Sequence, residues 1–333
     1  MSESQSWSSS FVDVGGGITL HVLEQGSGPA VVLCHGFPGL GYSWRHQLPA
    51  LAAAGYRVIA PDLRGYGRSS VPPDPSDYDR AHTVADMVGL LDALGIEQAV
   101  FAGHDFGAAL TWDLPQWASG RVRALIQLSV PRATQSPVLP SRAFAALAEK
   151  HFLHLHYFQR PGVADAELDR DPARSIAAIY WALSGGYEYV KIFTHPSAPL
   201  GAPPACGGGY LDVLPSPPPL PWPWMSADEL AHYATEYAHA GFTGGLNWYR
   251  ASDAVWHEKQ SRPDEPVTVP TLFITGGRDP VRAVMGASGR RPLDETVPGL
   301  VGEHVIEGAG HFVQMEAAAE VNRLMIDFLG SLD

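Results

Sequence analysis

The chain has 333 residues, 45% of them hydrophobic, and sets 22 Lys and Arg against 35 Asp and Glu for a formal charge of -13. That is enough apolar matter for one large domain, or for one domain with a substantial insertion, and the negative field repels phosphate backbones and anionic membrane surfaces, which argues against nucleic acid as a partner. The polar start MSESQSWSSS is no secretory leader, no stretch of about 18 apolar residues occurs, and Cys34 and Cys206 form neither a zinc spacing nor a disulfide framework, so the expectation is a cytoplasmic protein without membrane association or metal.

The first strand-like run, Ala30 to Cys34, is short, apolar and β-branched, and ends at His35-Gly36-Phe37-Pro38-Gly39, as a buried parallel strand running into a loop does. Tyr56 to Pro61, Ala99 to Gly103, Val122 to Leu128 and Thr271 to Thr275 repeat the pattern, and helical periodicity separates them, as over Thr83 to Leu94 and Ala108 to Trp117. Such alternation predicts an α/β fold with a mostly parallel, doubly wound sheet. It stops after about Val130 and resumes near Val269. Residues 1–131 and 251–333 are therefore expected to form the core, with 132–250 inserted in it. Inside the insertion, the Pro/Gly-rich stretch 196–224 is expected to be a long irregular loop, either a connector or a lid segment that presents Tyr210, Leu211, Trp222 or Trp224 to a pocket.

Gly103-His104-Asp105-Phe106-Gly107 lies between an apolar strand and a helix, the place of a nucleophile elbow, with Asp in the middle position. Asp at a helix start is commonly an N-cap, so the motif needs its context. Asp279 follows the strand Thr271 to Thr275, and His311 sits in Gly308-Ala309-Gly310-His311-Phe312 near the C-terminus, in the order nucleophile, acid, base. Each alone is unremarkable, His311 being one of 14 histidines. Together they predict a triad that converges in space. The loop after the first run places the N–H of Phe37 beside the elbow, where it and the N–H of Phe106 would form an oxyanion hole.

With these residues in view, the sequence resembles the α/β-hydrolase superfamily and, within it, the epoxide hydrolases. The likeness extends over nearly the whole chain and includes Asp62-Leu63-Arg64-Gly65-Tyr66-Gly67-Arg68-Ser69, Tyr157-Phe158-Gln159-Arg160-Pro161-Gly162 and Gly245-Leu246-Asn247-Trp248-Tyr249-Arg250. The last two lie in the insertion, which the resemblance makes a helical cap, and they resemble epoxide hydrolases in particular. It implies that Tyr249 donates a hydrogen bond to the epoxide oxygen. The second donor of the family is generally another tyrosine, and His154 stands at that place, similar to a His/Tyr minority. The residue after the nucleophile is often Trp and here is Phe106, which keeps the backbone N–H and loses the indole donor. His154 is either that second donor or a member of a packed cluster with His151 and His156, whose offsets do not set three metal ligands on one helix face. His35 and His104 read as structural. Pro38 and Phe312 are expected at the substrate pocket, with Trp44, Trp181 and Trp248 as pocket wall or core.

Aspartate suits such chemistry, because serine opening an epoxide would leave an inert ether whereas a carboxylate leaves a hydrolysable ester. Asp105 would attack the less hindered ring carbon while Tyr249 and His154 stabilise the alkoxide. Water activated by His311 and Asp279 would then release a vicinal diol, with no cofactor. A histidine donor brings a titration near pH 6.5 that tyrosine lacks, so a pH-dependent ring opening is expected. The partners expected are an epoxide and water, for a monomer or homodimer. Two other readings remain, a haloalkane or haloacetate dehalogenase with the same Asp/His/Asp machinery and a non-catalytic ligand-binding protein on this fold. Phe106 and Ala109 lack the halide and carboxylate donors that the dehalogenases place there.

Overall fold

The structure is a computed structural model that describes residues 7–189, 208–282 and 292–332. Its eight strands are β1 (Ser8–Gly15), β2 (Ile18–Gln25), β3 (Ala30–Cys34), β4 (Arg57–Pro61), β5 (Ala99–His104), β6 (Val122–Leu128), β7 (Thr271–Gly276) and β8 (Leu300–Ile306). They form a single sheet in the order β1-β2-β4-β3-β5-β6-β7-β8, antiparallel at β1, β2 and β4 and parallel from β4 to β8. All residues of β5 and β7 are buried, as strands covered on both faces must be. The edge strands differ. β1 is largely exposed and β8 has no buried residue, so neither shows the apolar run that marks the inner strands.

Helices α1 (Gln47–Ala53), α2 (Arg80–Ala93) and α3 (Phe106–Trp117) follow β3, β4 and β5. Between β6 and β7 come α4 (Pro140–Ala148), α5 (His154–Tyr157), α6 (Val163–Leu168), α7 (Pro172–Leu183), α8 (Tyr210–Val213), α9 (Ala227–Ala240), α10 (Thr243–Arg250) and α11 (Ser252–Gln260). α12 (Leu293–Thr296), α13 (Val313–Glu316) and α14 (Ala318–Gly330) complete the core. One apolar cluster joins one sheet face, α2 and α3 to the inserted cap, and a second packs the other face against α1 and α14. The stretch expected to be wholly irregular contains the short helix α8 and a Trp222–Met225 bridge, while 190–207 lie outside the described residues. Among the described residues no helix is long and apolar enough to cross a membrane.

Several contacts tie the cap to the core. Tyr180 donates to the Pro38 carbonyl at 3.1 Å, Trp248 Nε1 to the Arg64 carbonyl at 3.0 Å, and the Arg68 guanidinium pairs with Glu236 at 2.7 Å. The chain leaves β3 for β4 on one side and returns to β5 on the other, so the sheet changes winding direction between β3 and β5. In open α/β sheets a crevice for ligand opens beyond the carboxyl ends of the strands at such a point.

Candidate active site

Asp105 is the first residue past β5 and has φ 55° and ψ -117°, a left-handed backbone that a non-glycine residue adopts only under constraint. Two glycines make the constraint possible. A Cβ on Gly107 would collide with the carbonyls of Cys34 and His35, and one on Gly36 would occupy the place of the Asp105 carboxylate. The turn leaves that carboxylate 19% exposed, so it can be reached by a small electrophile.

The carboxylate has two distinct oxygens. Oδ1 accepts the Phe37 N–H at 2.8 Å, and Oδ2 lies 3.5 Å from His311 Nε2, close enough to pair and too far for a good hydrogen bond. On the other side of the ring, His311 Nδ1 is 3.2 Å from each oxygen of Asp279, whose side chain is fully buried. Burial raises the Asp105 pKa, but the His311 contact and the Phe37 N–H outweigh it and hold the group below its usual value. Burial pulls His311 down, and Asp279 with Asp105 more than reverses this, to about 10. Between the two acidic side chains the His311 ring is thus held toward its protonated form. Phe106 begins α3, where a backbone N–H has no partner within the helix, and it is free to join Phe37 in holding an oxyanion.

Tyr249 closes the site from the cap. Its ring lies 5.4 Å from Phe37, 4.6 Å from Phe106 and 6.1 Å from His154, and its hydroxyl makes no hydrogen bond among the described residues. The rest of its motif anchors it. Leu246 is buried, Asn247 donates to the Pro73 carbonyl, Trp248 to that of Arg64, and Arg250 to Asp165 and to the Phe158 carbonyl. His154 opens α5 with its Nδ1 3.3 Å from the Tyr189 hydroxyl. Burial pushes its pKa down to about 4, against an opposing pull from Asp105, so the titration near neutrality expected from an ordinary histidine gives way to a ring that stays neutral.

The pocket candidates divide. Phe312 meets His311 edge-on at 5.2 Å, and Pro38 follows Phe37 through a cis peptide bond. Trp248 contacts Phe106 at 5.6 Å. Trp44 does not line the site. It is fully buried in the cluster on the α1 and α14 face, where its size fills the core. Trp181 meets Trp222 at 5.3 Å and, among the described residues, has no ring contact with those around Asp105.

Several residues that no motif pointed to hold the catalytic loop. The His311 carbonyl accepts Ser129 Oγ at 2.7 Å and His104 Nε2 at 2.8 Å, which gives His104 the structural role expected of it. Glu316 accepts the N–H groups of Gly185, Gly310 and Phe312, clamping the loop to the turn that follows α7 in the cap. His35 is likewise structural, its Nε2 accepting the Leu63 N–H at 2.9 Å. The one sequence signal for Glu316 is its place at the start of the last helical region, one turn past His311.

A family model described as the alpha/beta hydrolase fold matches residues 29–177. The chain is 43% identical to epoxide hydrolase A of Mycobacterium tuberculosis over 321 residues, 95% of this chain and 96% of the relative. Among solved structures it is similar to epoxide hydrolase A of Mycobacterium thermoresistibile, with a TM-score of 0.88, 43% identity and coverage of 98% and 99%. It is also similar to an epoxide hydrolase from an endophytic Streptomyces, with a TM-score of 0.89, 39% identity and coverage of 99% and 97%.

Proposed function

The chain belongs to the epoxide hydrolases of the α/β-hydrolase fold, and from that footing we propose that it converts an epoxide to a vicinal diol through an ester on Asp105. The observation that carries the reading is the division of labour between the two carboxylate oxygens. Oδ1 already sits on the Phe37 N–H, so it is the future carbonyl oxygen of the ester, and Oδ2 is the attacking atom. As Oδ2 bonds to a ring carbon, the C–O bond breaks toward the cap, where Tyr249 and His154 donate to the developing alkoxide. Tyr249 supplies the proton.

Esterification removes the negative charge of Asp105, one of the two charges that raise His311. The imidazole then gives up its proton, which returns through solvent to the phenolate that Tyr249 became on supplying the alkoxide's proton, and is neutral at the stage that needs a base. Oriented by Asp279, it takes a proton from water that attacks the Asp105 carbonyl carbon, and the N–H groups of Phe37 and Phe106 hold the tetrahedral oxyanion. Collapse releases the diol and regenerates the carboxylate.

Beside Phe106 lies a cleft of about 230 Å³ lined by Tyr78, Arg80, Trp112, Val130, Trp248 and Lys259 among others. Halide release would need free donors there. The indoles beside Phe106 are committed, Trp248 to the Arg64 carbonyl and Trp112 to that of Val130. A single turnover in heavy-oxygen water tests the ester. Label is expected in the Asp105 carboxylate first and in diol only on a later turnover, and label in the first diol would overturn the covalent route.

A further inference from the structure

At the edge of the sheet, with β2, β4 and β3 between it and the strand of the elbow, a serine, a histidine and an aspartate stand in line. Ser9 Oγ is 2.8 Å from His21 Nε2, and His21 Nδ1 is 2.8 Å from Asp62 Oδ2. His21 and Asp62 are 8% and 4% exposed, whereas Ser9 is open to solvent. The acid is firmly placed, its Oδ1 accepting the Gly41 N–H at 2.8 Å and its Oδ2 the Arg68 N–H at 3.3 Å. Burial raises the Asp62 pKa, but the His21 contact and the Gly41 N–H outweigh it and hold the group below its usual value. An ionised carboxylate only accepts, so Nδ1 carries the ring proton, and in the neutral imidazole Nε2 accepts the Ser9 hydroxyl. That is the proton arrangement of an activated serine.

The strand itself adds two features. The backbone N–H and C=O of His21 face the β4 side, bonded to Ser69 Oγ and to the Asp62 N–H. Backbone groups alternate sides along an antiparallel strand, so Phe11, which is paired with His21, and Ser9, two residues before it, turn their N–H groups outward from the sheet edge. The Ser9 N–H is thereby available to the oxygen of a carbonyl under attack by its own Oγ. Phe11 lies on the same face of the strand as Ser9, its ring 5.4 Å from that of His21 and 61% exposed, and offers an apolar surface beside the hydroxyl. We propose that Ser9 is a second nucleophile of this chain, which takes acyl groups from activated carboxylic esters with His21 as its base and Asp62 orienting that base. Ser9 Oγ bonds to the carbonyl carbon as its proton passes to His21 Nε2, and the oxyanion rests on the Ser9 N–H. On collapse the bond from the carbonyl carbon to the alcohol oxygen breaks, and the departing alkoxide takes the proton from His21. Acyl-Ser9 and free alcohol result, with His21 neutral again. The step uses none of Asp105, Asp279 and His311.

Incubation of the full chain with p-nitrophenyl acetate, with acetylation of each serine followed by peptide mass spectrometry, tests this. Ser8 and Ser10 are controls on the same strand, both exposed, and among the described residues only Ser9 of the three is bonded to a histidine. Ser9 is expected to be acetylated about a hundredfold faster than either neighbour, the scale of general-base catalysis. His21→Gln, checked for folding by its denaturation midpoint, should bring Ser9 down to the rate of its neighbours. Equal rates on the three serines of the wild-type chain, a comparison that needs no variant, would overturn the proposal. So would a Ser9 rate that a folded His21→Gln protein leaves unchanged, since the histidine would then only tie β2 to the loop after β4.

Discussion

On the sheet, Asp105, Asp279 and His311 stand one, three and five residues past the ends of β5, β7 and β8, and backbone hydrogen bonds surround them. The His311 loop alone is held through Leu183, Ser129, His104 and Glu316. In the cap, Tyr249 and His154 ride on helices of eight and four residues; hydrogen bonds of Asn247, Trp248 and Arg250 anchor the first helix, but the two side chains themselves rest against the rings of Phe37, Phe106 and Phe158. The two regions meet the substrate from opposite sides with different tolerances. Hydrogen bonds fix distance and angle together, which covalent attack and water activation require. Ring packing fixes position more loosely, which suffices for donors that share one developing charge.

The comparison is broken most directly at the core. Asp105→Ala should abolish both ester and diol, a loss of about a millionfold in turnover, and His311→Gln should still open the ring and then stall. Mass spectrometry of the intact protein would show the ester accumulate on His311→Gln. An unalkylated His311→Gln protein would mean that the two steps do not divide as argued.

At the cap the effects should be graded. Tyr249→Phe should slow alkylation by about a hundred- to a thousandfold, the usual worth of one oxyanion donor, and adding His154→Phe should nearly silence it. Rapid-quench measurement of ester formation gives these values. A loss as complete as that of Asp105→Ala from Tyr249→Phe alone would erase the contrast between the regions.

A smaller effect concerns pH. His154, held near 4 by burial, is neutral on the alkaline side of that value, so alkylation should change less than about twofold over roughly pH 6 to 8 on its account. An inflection near 6.5 that disappears in His154→Tyr would show an imidazole as wet as a free one. For His311 the sign is opposite. Its pKa is raised in the resting enzyme, and the ester lacks the Asp105 charge, so ester hydrolysis should rise with pH through a midpoint below about 10. Single-turnover decay of preformed ester would locate that midpoint.

The smallest effect is on the seam between the regions. Tyr180→Phe removes the hydrogen bond to the Pro38 carbonyl and should cost about 1 kcal/mol of stability, read as a lower denaturation midpoint. A change in stability no larger than experimental error would show that ring contacts alone carry the seam.

The inner strands, the elbow turn at Asp105 and the convergence of Asp279 and His311 on it were legible in the sequence. Tyr249 was reached only through the family resemblance of the Leu-Asn-Trp-Tyr-Arg segment, while Ala30 to Cys34 and Val122 to Leu128 match β3 and β6 residue for residue. These signals are local. A parallel strand buried on both faces must be apolar throughout, and a sharp strand-to-helix turn must have glycine where backbones touch. Folding decided the remainder. β1, largely exposed, and β8, with no buried residue, are paired on one side, so composition does not mark them, and Trp44 reads the same whether it lines a pocket or fills a core. Glu316, Ser129 and Tyr189 depend on contacts across 6 to 182 positions of chain, such as the 35 between Tyr189 and His154. Pairings over such distances have no sequence period to betray them, because only the packed sheet and cap bring the partners together.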